Sequence, residues 1–206
     1  MEKAIESNNV DQVIERLKKY NTIQDEKHCI DIYKEMAHNY DIDLNTAGYP
    51  DPVMVAKSVD KLNLGKDIKI LDFGCGTGLL GESLSPLGYK NVTGLDASEE
   101  MLKKAKEKGS YSWLGQCLLG SNQFPKELIG KFDVAICSGV LLKNHCPKEM
   151  LGEMIECLDS KGKGGYCVFS MRLDEYTESY YVPEMNRLES QGKWKKIDEI
   201  KFTKFQ

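Results

Sequence analysis

The sequence predicts an α/β fold built on a doubly wound, mostly parallel sheet, and three observations support this prediction. From residue 67 onward, short apolar runs alternate with stretches of helical period, as in β-α-β units whose sheet is covered on both faces. The chain has 206 residues, of which 41% are hydrophobic, which suits one compact domain. A glycine-rich segment directly follows the first apolar run, where open α/β sheets bind their ligands.

Helices are predicted before the first strand. The first is indicated by four apolar residues at the i, i+3, i+4 and i+7 positions of a helical stripe, namely Val10, Val13, Ile14 and Leu17. A second stripe covers residues 29–40, and a third helix should begin with Asp51 as N-cap and Pro52 in the first turn. We expect residues 1–66 to form a helical extension or lid on a ligand-binding domain made by residues 67–206, the two forming one structural unit.

The sheet and its crossover helices follow in alternation. Strands are predicted over residues 68–73, 92–95, 111–119, 132–137, 166–171 and 194–205. Helices between them are predicted over residues 79–84, 101–108 and 150–158. This alternation places the ends of all the parallel strands, and the loops that follow them, at one edge of the sheet.

The charge balance argues against nucleic acid and membrane partners. The chain carries 28 basic and 32 acidic residues, a formal net charge of −4, so no positive field is available to bind a phosphate backbone. The lysines at 103, 104, 106 and 108 alternate with glutamates, which predicts a solvated helix face. The longest apolar run, residues 134–142, is far shorter than the roughly 20 residues that cross a bilayer.

The cysteines indicate a reducing compartment. There are 7 of them, an odd number with no C-x-x-C spacing, and several lie in strongly apolar segments. The N terminus lacks the apolar region of a secretory signal, so we expect a cytoplasmic protein. The pairs His28-Cys29 and His145-Cys146 lack the spacing of a zinc site, and no metal is predicted.

The most informative segment is an acidic residue at the end of the first predicted strand, followed by glycines at every second position: Asp72-Phe-Gly74-Cys-Gly76-Thr-Gly78. A glycine-rich turn at this place lets a ligand lie directly on the backbone. Asp96 ends the next predicted strand, in position to accept hydrogen bonds from the hydroxyls of a ribose. The arrangement predicts a cofactor that contains a nucleoside.

Two cofactor classes compete for this motif. Residues 76–81 match the G-x-G-x-x-G pattern of dinucleotide-binding folds, which would make the protein a nicotinamide-dependent oxidoreductase. In that interpretation the carboxylate of Asp72 would lie near a negatively charged pyrophosphate, which is unfavourable in a cleft of low dielectric. S-adenosylmethionine instead carries an ammonium and a sulfonium, which an acid below the turn would attract. Charge complementarity therefore favours the methyl donor over the dinucleotide.

These residues resemble the class I S-adenosylmethionine-dependent methyltransferase family. Residues 72–78 correspond to its first motif and residues 94–98 to its second, and the similarity continues through residues 132–139 and 158–165. It covers roughly residues 30 to 200. More narrowly, the chain is similar to the methyltransferase-like protein 27 group (Williams–Beuren syndrome chromosome region 27 type) in three segments, residues 32–41, 111–120 and 188–194.

The resemblance implies how the methionine and ribose parts of the cofactor would be held. Five turn residues would support the methionine part, namely Gly74, Cys75, Gly76, Thr77 and Gly78. Asp72 would lie beside that part, and Asp96 would hold the ribose hydroxyls. Tyr33 and Tyr40 match tyrosines on a helix that closes over the methionine end; the alternative is an ordinary apolar helix face.

The resemblance also implies an adenine site. Ala97 and Met101 would pack on the adenine. Gln116 and Cys117 stand where the family often has an acid that receives the adenine amino group, and a glutamine carbonyl can accept the same hydrogen bond. The resemblance implies that Ser138, in the motif at the fourth predicted strand, would also belong to the cofactor site.

The family normally has a seventh, antiparallel strand between the fifth and the sixth. No residues remain after the predicted sixth strand to form it. We therefore expect an incomplete sheet, with the edge at residues 166–171 exposed or covered by another segment, or a strand recruited from a partner.

Together these features predict a cytoplasmic S-adenosylmethionine-dependent methyltransferase that acts on an unidentified small-molecule acceptor. We expect a monomer or weak homodimer with no nucleic acid or membrane partner. His145 follows the fourth predicted strand, at the edge facing the transferred methyl in this family, and is the candidate general base; the other interpretation is a solvated loop histidine. The alternative function is a non-catalytic S-adenosylmethionine-binding protein that serves a partner interaction.

Overall fold

The computed structural model describes residues 10–121, 123–159 and 164–203. Its centre is a sheet of five strands in this part of the chain, β1 Ile70–Phe73, β2 Val92–Asp96, β3 Trp113–Gln116, β4 Val134–Leu141 and β5 Tyr166–Met171. The helices are α1 Val10–Lys18, α2 Glu26–Met36, α3 Tyr40–Thr46, α4 Asp51–Lys61, α5 Leu79–Leu84, α6 Glu99–Lys108, α7 Met150–Glu156 and α8 Glu175–Ser190. Short 3₁₀ turns occur at Lys19–Thr22, Ser85–Leu87 and Lys126–Leu128.

The strand order creates a ligand crevice. The strands lie in the order β3-β2-β1-β4-β5, and each neighbouring pair is parallel. From the central strand β1 the chain builds first toward β3 and later, on the other side, toward β5. The loops after β1 and β4 therefore diverge at the carboxyl edge of the sheet, which is where doubly wound folds bind their ligands.

Alternating side chains bury both faces of the sheet. Ile70, Val134 and Ile136 point to one face and pack with apolar residues of α4 and α5. Leu71 and Ala135 point to the other face and pack with α7 and α8. The central strands are therefore apolar at almost every position, as expected for a parallel sheet between two helical layers. The doubly wound prediction is confirmed.

Polar contacts attach the N-terminal helices to one another and to the sheet. Arg16 of α1 makes a bidentate ion pair with the buried Asp43 of α3, with nitrogen–oxygen distances of 2.8 and 2.5 Å. Asp51 accepts a hydrogen bond of 2.7 Å from the hydroxyl of Ser170 in β5. Because these acceptors are buried, loss of one partner would leave a desolvated carboxylate, which disfavours separation of the helices from the sheet.

Two predictions about the N-terminal half need correction. The single helix predicted over residues 29–40 is broken, because α2 ends at Met36 and α3 begins at Tyr40. Asp51 is not an N-cap but the first residue of α4, and its side chain is turned to Ser170 instead of to the helix backbone. The buried hydroxyl outcompetes the local backbone as partner for this carboxylate.

The predicted sixth strand is wrong for the part of it that the structure describes. Residues 194–203 form no strand, and 204–205 lie outside the described residues. Trp194 stacks on Phe169 of β5, with ring centroids 6.0 Å apart, and its indole N–H donates to the carbonyl of Met185. β5 is therefore an edge strand of the described sheet, as expected for an incomplete sheet, and Trp194 covers part of its face.

Helix α8 was not predicted, because Pro183 lies inside it and interrupts the helical pattern. Its buried Tyr181 donates a hydrogen bond of 2.6 Å to the carbonyl of Cys146, which fixes the loop after β4. The structure contains, in its described residues, no helix with the length and apolar character needed to cross a membrane.

Candidate functional site

A cavity of about 710 Å³, open to solvent, lies at the carboxyl ends of β1, β2 and β4. Nine of the residues singled out from the sequence line it, namely Tyr33, Tyr40, Gly74, Gly76, Asp96, Ala97, Cys117, Ser138 and His145. A smaller adjoining pocket is lined by Asp72, Cys75 and Thr77 and shares Tyr40, Gly74, Gly76 and Ser138 with the first. The fold thus brings together residues from five separate segments of the chain.

Each of the three positions in the glycine turn requires glycine for a physical reason that the structure shows. All three glycines have positive φ, +70° at Gly74, +54° at Gly76 and +90° at Gly78. A Cβ on Gly74 would lie 2.6 Å from Cγ2 of Val140, and one on Gly78 would lie 3.1 Å from the ring of Tyr111. A Cβ on Gly76 would meet no atom within 4 Å and would project into open space instead. Gly76 therefore leaves backbone bare beside a cavity, as a ligand cradle requires.

Asp96 is fixed by the backbone around it. One carboxylate oxygen accepts from the N–H of Gly76 and the other from the N–H of Ser98, both at 2.8 Å. Burial raises the pKa of Asp96, and these N–H groups oppose the shift by stabilising the charged form. Each oxygen keeps a further lone pair, so the side chain remains able to accept hydrogen bonds from a ligand.

Asp72 is buried in the floor of the site. Oδ2 accepts a hydrogen bond of 2.7 Å from the hydroxyl of Tyr111, whereas Oδ1 is buried with no hydrogen-bond partner. The pKa of the Asp72 carboxyl is raised to about 7. Burial is the main cause, the charge of Asp96 adds to the increase, and the hydrogen bond from Tyr111 opposes it. A buried oxygen without a partner is costly, so this atom marks a place where a ligand donor fits.

An aromatic group from the N-terminal helices covers the other side of the cavity. The rings of Tyr20, Tyr33 and Tyr40 contact one another, with centroids 5.3 Å apart for Tyr20 and Tyr33, 5.9 Å for Tyr33 and Tyr40, and 6.2 Å for Tyr20 and Tyr40. The ring of His145 meets that of Tyr33 edge-on at 5.7 Å. Burial raises the pKa of all three tyrosines, so they are neutral at physiological pH.

His145 lies in the cavity wall, on the loop after β4, and is half-buried. Its Nδ1 is 2.7 Å from the carbonyl oxygen of Lys143. A carbonyl only accepts, so Nδ1 carries the proton of the neutral ring and Nε2 is then the basic nitrogen.

Three predicted site residues lie outside both pockets. Met101 is 1% exposed, and its backbone N–H donates to the Ser98 hydroxyl that caps α6. The amide of Gln116 donates to the carbonyl of Ala97 at 2.9 Å, and Gly78 packs on the ring of Tyr111. Contacts of Met101 and Gln116 with adenine remain predictions.

The interpretation of the α6 lysines as a solvated face is wrong for Lys108. Its side chain is only 16% exposed and pairs with Asp41 of α3 at 2.7 Å and with Glu82 of α5 at 2.9 Å. Asp41 also accepts a hydrogen bond from the hydroxyl of Thr77 in the glycine turn. The N-terminal helices are thus tied directly to the turn.

Four contributors to the site were missed in the sequence: Tyr20, Asp41, Tyr49 and Tyr111. The signal for Tyr111 was indirect, because Gly81 and the mid-strand Gly94 both lie against its ring, and an isolated glycine in a strand indicates close approach of another group. In the described part of the chain, no three His, Cys, Asp or Glu side chains are placed to hold a metal ion.

Two family models match the chain. One, described as a methyltransferase domain, matches residues 70–162. The other, described as protein-L-isoaspartate(D-aspartate) O-methyltransferase, matches residues 1–112, more than half of the chain. The two matches overlap over the glycine turn and Asp96.

Relatives and solved structures agree with these matches. Human methyltransferase-like protein 27 is 28% identical over 195 residues, covering 92% of this chain and 77% of its own length. The ubiquinone biosynthesis O-methyltransferase of Colwellia psychrerythraea is 33% identical over 130 residues, 61% of this chain and 50% of its own.

The fold is that of known methyltransferase structures. A TehB-like S-adenosylmethionine-dependent methyltransferase from Corynebacterium glutamicum superposes with a TM-score of 0.56 at 21% identity, over 75% of this chain and 83% of its own. A possible histamine N-methyltransferase from Thermotoga maritima gives 0.52 at 20% identity, over 80% and 70% of the two chains. With the glycine cradle and the two carboxylates at the switch point of the sheet, these matches show that the chain belongs to the class I S-adenosylmethionine-dependent methyltransferases.

Proposed function

We propose that the protein methylates a small acceptor that is neutral or cationic, in the cavity between the glycine turn and the N-terminal helices. The observation that carries this proposal is the composition of the wall. Within the described residues, the cavity is lined by neither Lys nor Arg, and its one acidic residue is Asp96. An anionic acceptor would lose its hydration without gaining a cationic partner from the protein, which is costly.

The residues present fit the cofactor. The open space beside Gly76 is where its methionine part would lie, with Oδ1 of Asp72 available to its ammonium and Asp96 to its ribose hydroxyls. When bound, S-adenosylmethionine supplies a methyl group that its sulfonium already activates. The chain's own task is then to hold donor and acceptor in line and to exclude water.

His145 is proposed as the base for an acceptor that must lose a proton. The contact of Nδ1 with Lys143 orients the ring and leaves Nε2 as the nitrogen that can take a proton. Small or apolar neighbours in the same wall, Cys29, Ile30, Val140 and Cys146, would keep the acceptor away from water. An amine or thiolate acceptor would need positioning alone.

We further propose that residues 1–66 act as a lid on residues 67–206. Support comes from Tyr33 and Tyr40, which bring the aromatic cover to the cavity, and from Asp41, which bonds to both Thr77 and Lys108. The contacts of Asp41 are partly exposed, so helices α1 to α3 can move without opening the core, whereas α4 packs in the core against the sheet and stays in place. A cytoplasmic location and a monomeric or weakly dimeric state remain proposals.

Transfer of labelled methyl groups tests the acceptor class. The protein and labelled S-adenosylmethionine are incubated with ultrafiltered, protein and RNA fractions of a cell extract. We expect label in the ultrafiltered fraction, and within it in compounds that an anion exchanger does not retain. Label confined to protein or RNA, or to retained anions, would contradict the proposal. Binding without transfer in any fraction would favour a non-catalytic role.

The change Gly76→Val tests the cradle. The added side chain would occupy the open space beside the turn, so affinity for S-adenosylhomocysteine should fall on the order of tenfold or more in calorimetry. Gly109→Val is the matched control, because Gly109 has φ of +66° and no atom within 4 Å of its Cβ position but lies away from the cavity. Equal affinities in the two variants would show that no ligand lies on Gly76.

Hydrogen exchange tests the lid. Addition of S-adenosylhomocysteine should increase protection of residues 33–41, because ligand binding selects the closed arrangement. Asp41→Asn should reduce this gain, whereas Glu199→Gln, which weakens an exposed ion pair with Lys196, should leave it unchanged. Equal protection of residues 33–41 with and without ligand would identify a fixed helical wall instead.

His145→Ala tests the base. Affinity for S-adenosylhomocysteine should stay within a few-fold of wild type, while turnover of a hydroxyl acceptor falls about 10²–10⁴-fold. His38→Ala is the control, because His38 is an exposed histidine of the N-terminal segment that lines neither pocket. Full turnover in His145→Ala would make the residue a loop histidine.

A further inference from the structure

The hydroxyl of Tyr111 joins the glycine turn to the buried acid. It donates to Oδ2 of Asp72 at 2.7 Å and accepts from the backbone N–H of Gly81 at 3.0 Å. The N–H of Gly81 sets the direction of the hydroxyl proton, because a hydroxyl that accepts from one side donates on the other. The side chain therefore has both of its polar roles satisfied inside the protein.

Three glycines make room for the ring of Tyr111. A Cβ would lie 3.1 Å from the ring at Gly78, 2.5 Å at Gly81 and 3.0 Å at Gly94. These glycines come from the turn, from α5 and from β2, so three separate elements hold the ring. Two of the glycines in the G-x-G-x-x-G pattern thus serve to seat a tyrosine.

Only one of the two oxygens of the Asp72 carboxylate has a hydrogen-bond partner among the described residues. Asp72 is 1% exposed, Oδ2 is bonded to Tyr111, and Oδ1 is buried without a partner. The groups that face it are Tyr40, Tyr49, Cys75, Asp96, Tyr111, Cys137 and Ser138. None of these described neighbours is cationic, so nothing in the protein itself compensates the charge at Oδ1.

We propose that Tyr111 is a positioning residue for the methyl donor: by holding Oδ2, it aims Oδ1 of Asp72 at the ammonium of the donor's amino acid part. This inference rests on the proposed placement of that ammonium at Asp72. Tyr111 does not itself line either pocket, so it acts through the acid. A purely structural role would instead be to fill space between the glycine turn, α5 and β2.

Tyr111→Phe separates the two roles, because it keeps the ring and removes the hydroxyl. S-adenosylhomocysteine carries the ammonium, whereas 5′-methylthioadenosine has the same nucleoside and thioether without the amino acid. We expect affinity for the first to fall about tenfold in calorimetry and affinity for the second to be unchanged. Equal losses for both ligands, or no loss for either, would overturn the proposal.

Asp72→Asn distinguishes failure of this inference from failure of the ammonium placement. If the placement holds, Asp72→Asn weakens S-adenosylhomocysteine but not 5′-methylthioadenosine, and adding Tyr111→Phe brings little further loss. If Asp72→Asn weakens neither ligand, the placement itself is wrong. If it weakens the first while Tyr111→Phe does not, the placement stands and the role of Tyr111 is wrong.

The pH dependence of binding gives a readout that space filling would not move. The hydroxyl of Tyr111 lowers the pKa of Asp72, so its removal raises that pKa, and the ionised carboxylate then forms at higher pH. Affinity of Tyr111→Phe for S-adenosylhomocysteine should therefore recover toward the wild-type value as pH rises above 7. The ligand's own titration is common to both proteins. Parallel pH profiles would contradict the proposal.

Gly81→Ala reaches the same bond by another route. Its Cβ would lie 2.5 Å from the tyrosine ring, so the ring or α5 must shift, and we expect the bond between the hydroxyl and Asp72 to weaken. We expect the same ligand selectivity as in Tyr111→Phe. Gly152→Ala is the matched control, since Gly152 lies in helix α7 with no atom within 4 Å of its Cβ position. Selective loss in Gly152→Ala, or unselective loss in Gly81→Ala, would count against the proposal.

Discussion

The burial of one carboxylate, that of Asp72, is the constraint on which the rest of the site depends. An acid at the end of the central strand, below a turn of bare backbone, is costly for the apoprotein unless something donates to it. The protein supplies one donor, the Tyr111 hydroxyl, and leaves the second oxygen to a ligand. The ring of that tyrosine leaves no room for side chains at Gly78, Gly81 and Gly94. The hydrogen bond to one oxygen of Asp72 therefore constrains the sequence of three elements.

The charge of the second buried acid, Asp96, is stabilised in a different way. Asp96 is compensated by backbone N–H groups of Gly76 and Ser98, so it is oriented without help from another side chain. Because Gly76 donates to Asp96 and also borders the open space, the turn and the end of β2 form one rigid cradle. The two aspartates differ in their hydrogen-bond partners. Asp72 keeps an oxygen that can bind a cation, whereas Asp96 keeps lone pairs that can accept from hydroxyls.

The N-terminal helices complete the cavity by a different kind of contact. α4 packs in the apolar core, whereas the helices before it present aromatic rings to the cavity and are joined to the rest by polar contacts, Asp41 to Thr77 and Lys108, and Asn144 to the carbonyl of Ile23. The apolar rings gain by covering a ligand, and the polar links give the arrangement a defined register. Such a cover suits methyl transfer, in which the activated donor must be shielded from water while small molecules enter and leave.

The sequence alone determined the local features of this protein. Periodicity predicted β1 to β5, α5 and the helical N-terminal segment, and Asp72, Gly76 and Asp96 could be found because turn chemistry and strand ends are encoded by neighbours in the chain. The methyl donor followed from the charge of Asp72. Each of these inferences depends on residues only a few positions apart.

Tertiary structure decided the rest. Tyr111 is 39 residues from Asp72, to which it donates, and no spacing rule connects the two residues. Lys108 has the sequence context of a surface lysine, and only the tertiary structure shows that it pairs with Asp41 of α3. Residues 194–203 include apolar side chains but form no strand: Trp194 stacks on the side chain of Phe169, and the residues after it are largely exposed. The local sequence pattern indicates which secondary structure a segment can form. Long-range packing determines which partner each polar group and each aromatic ring contacts.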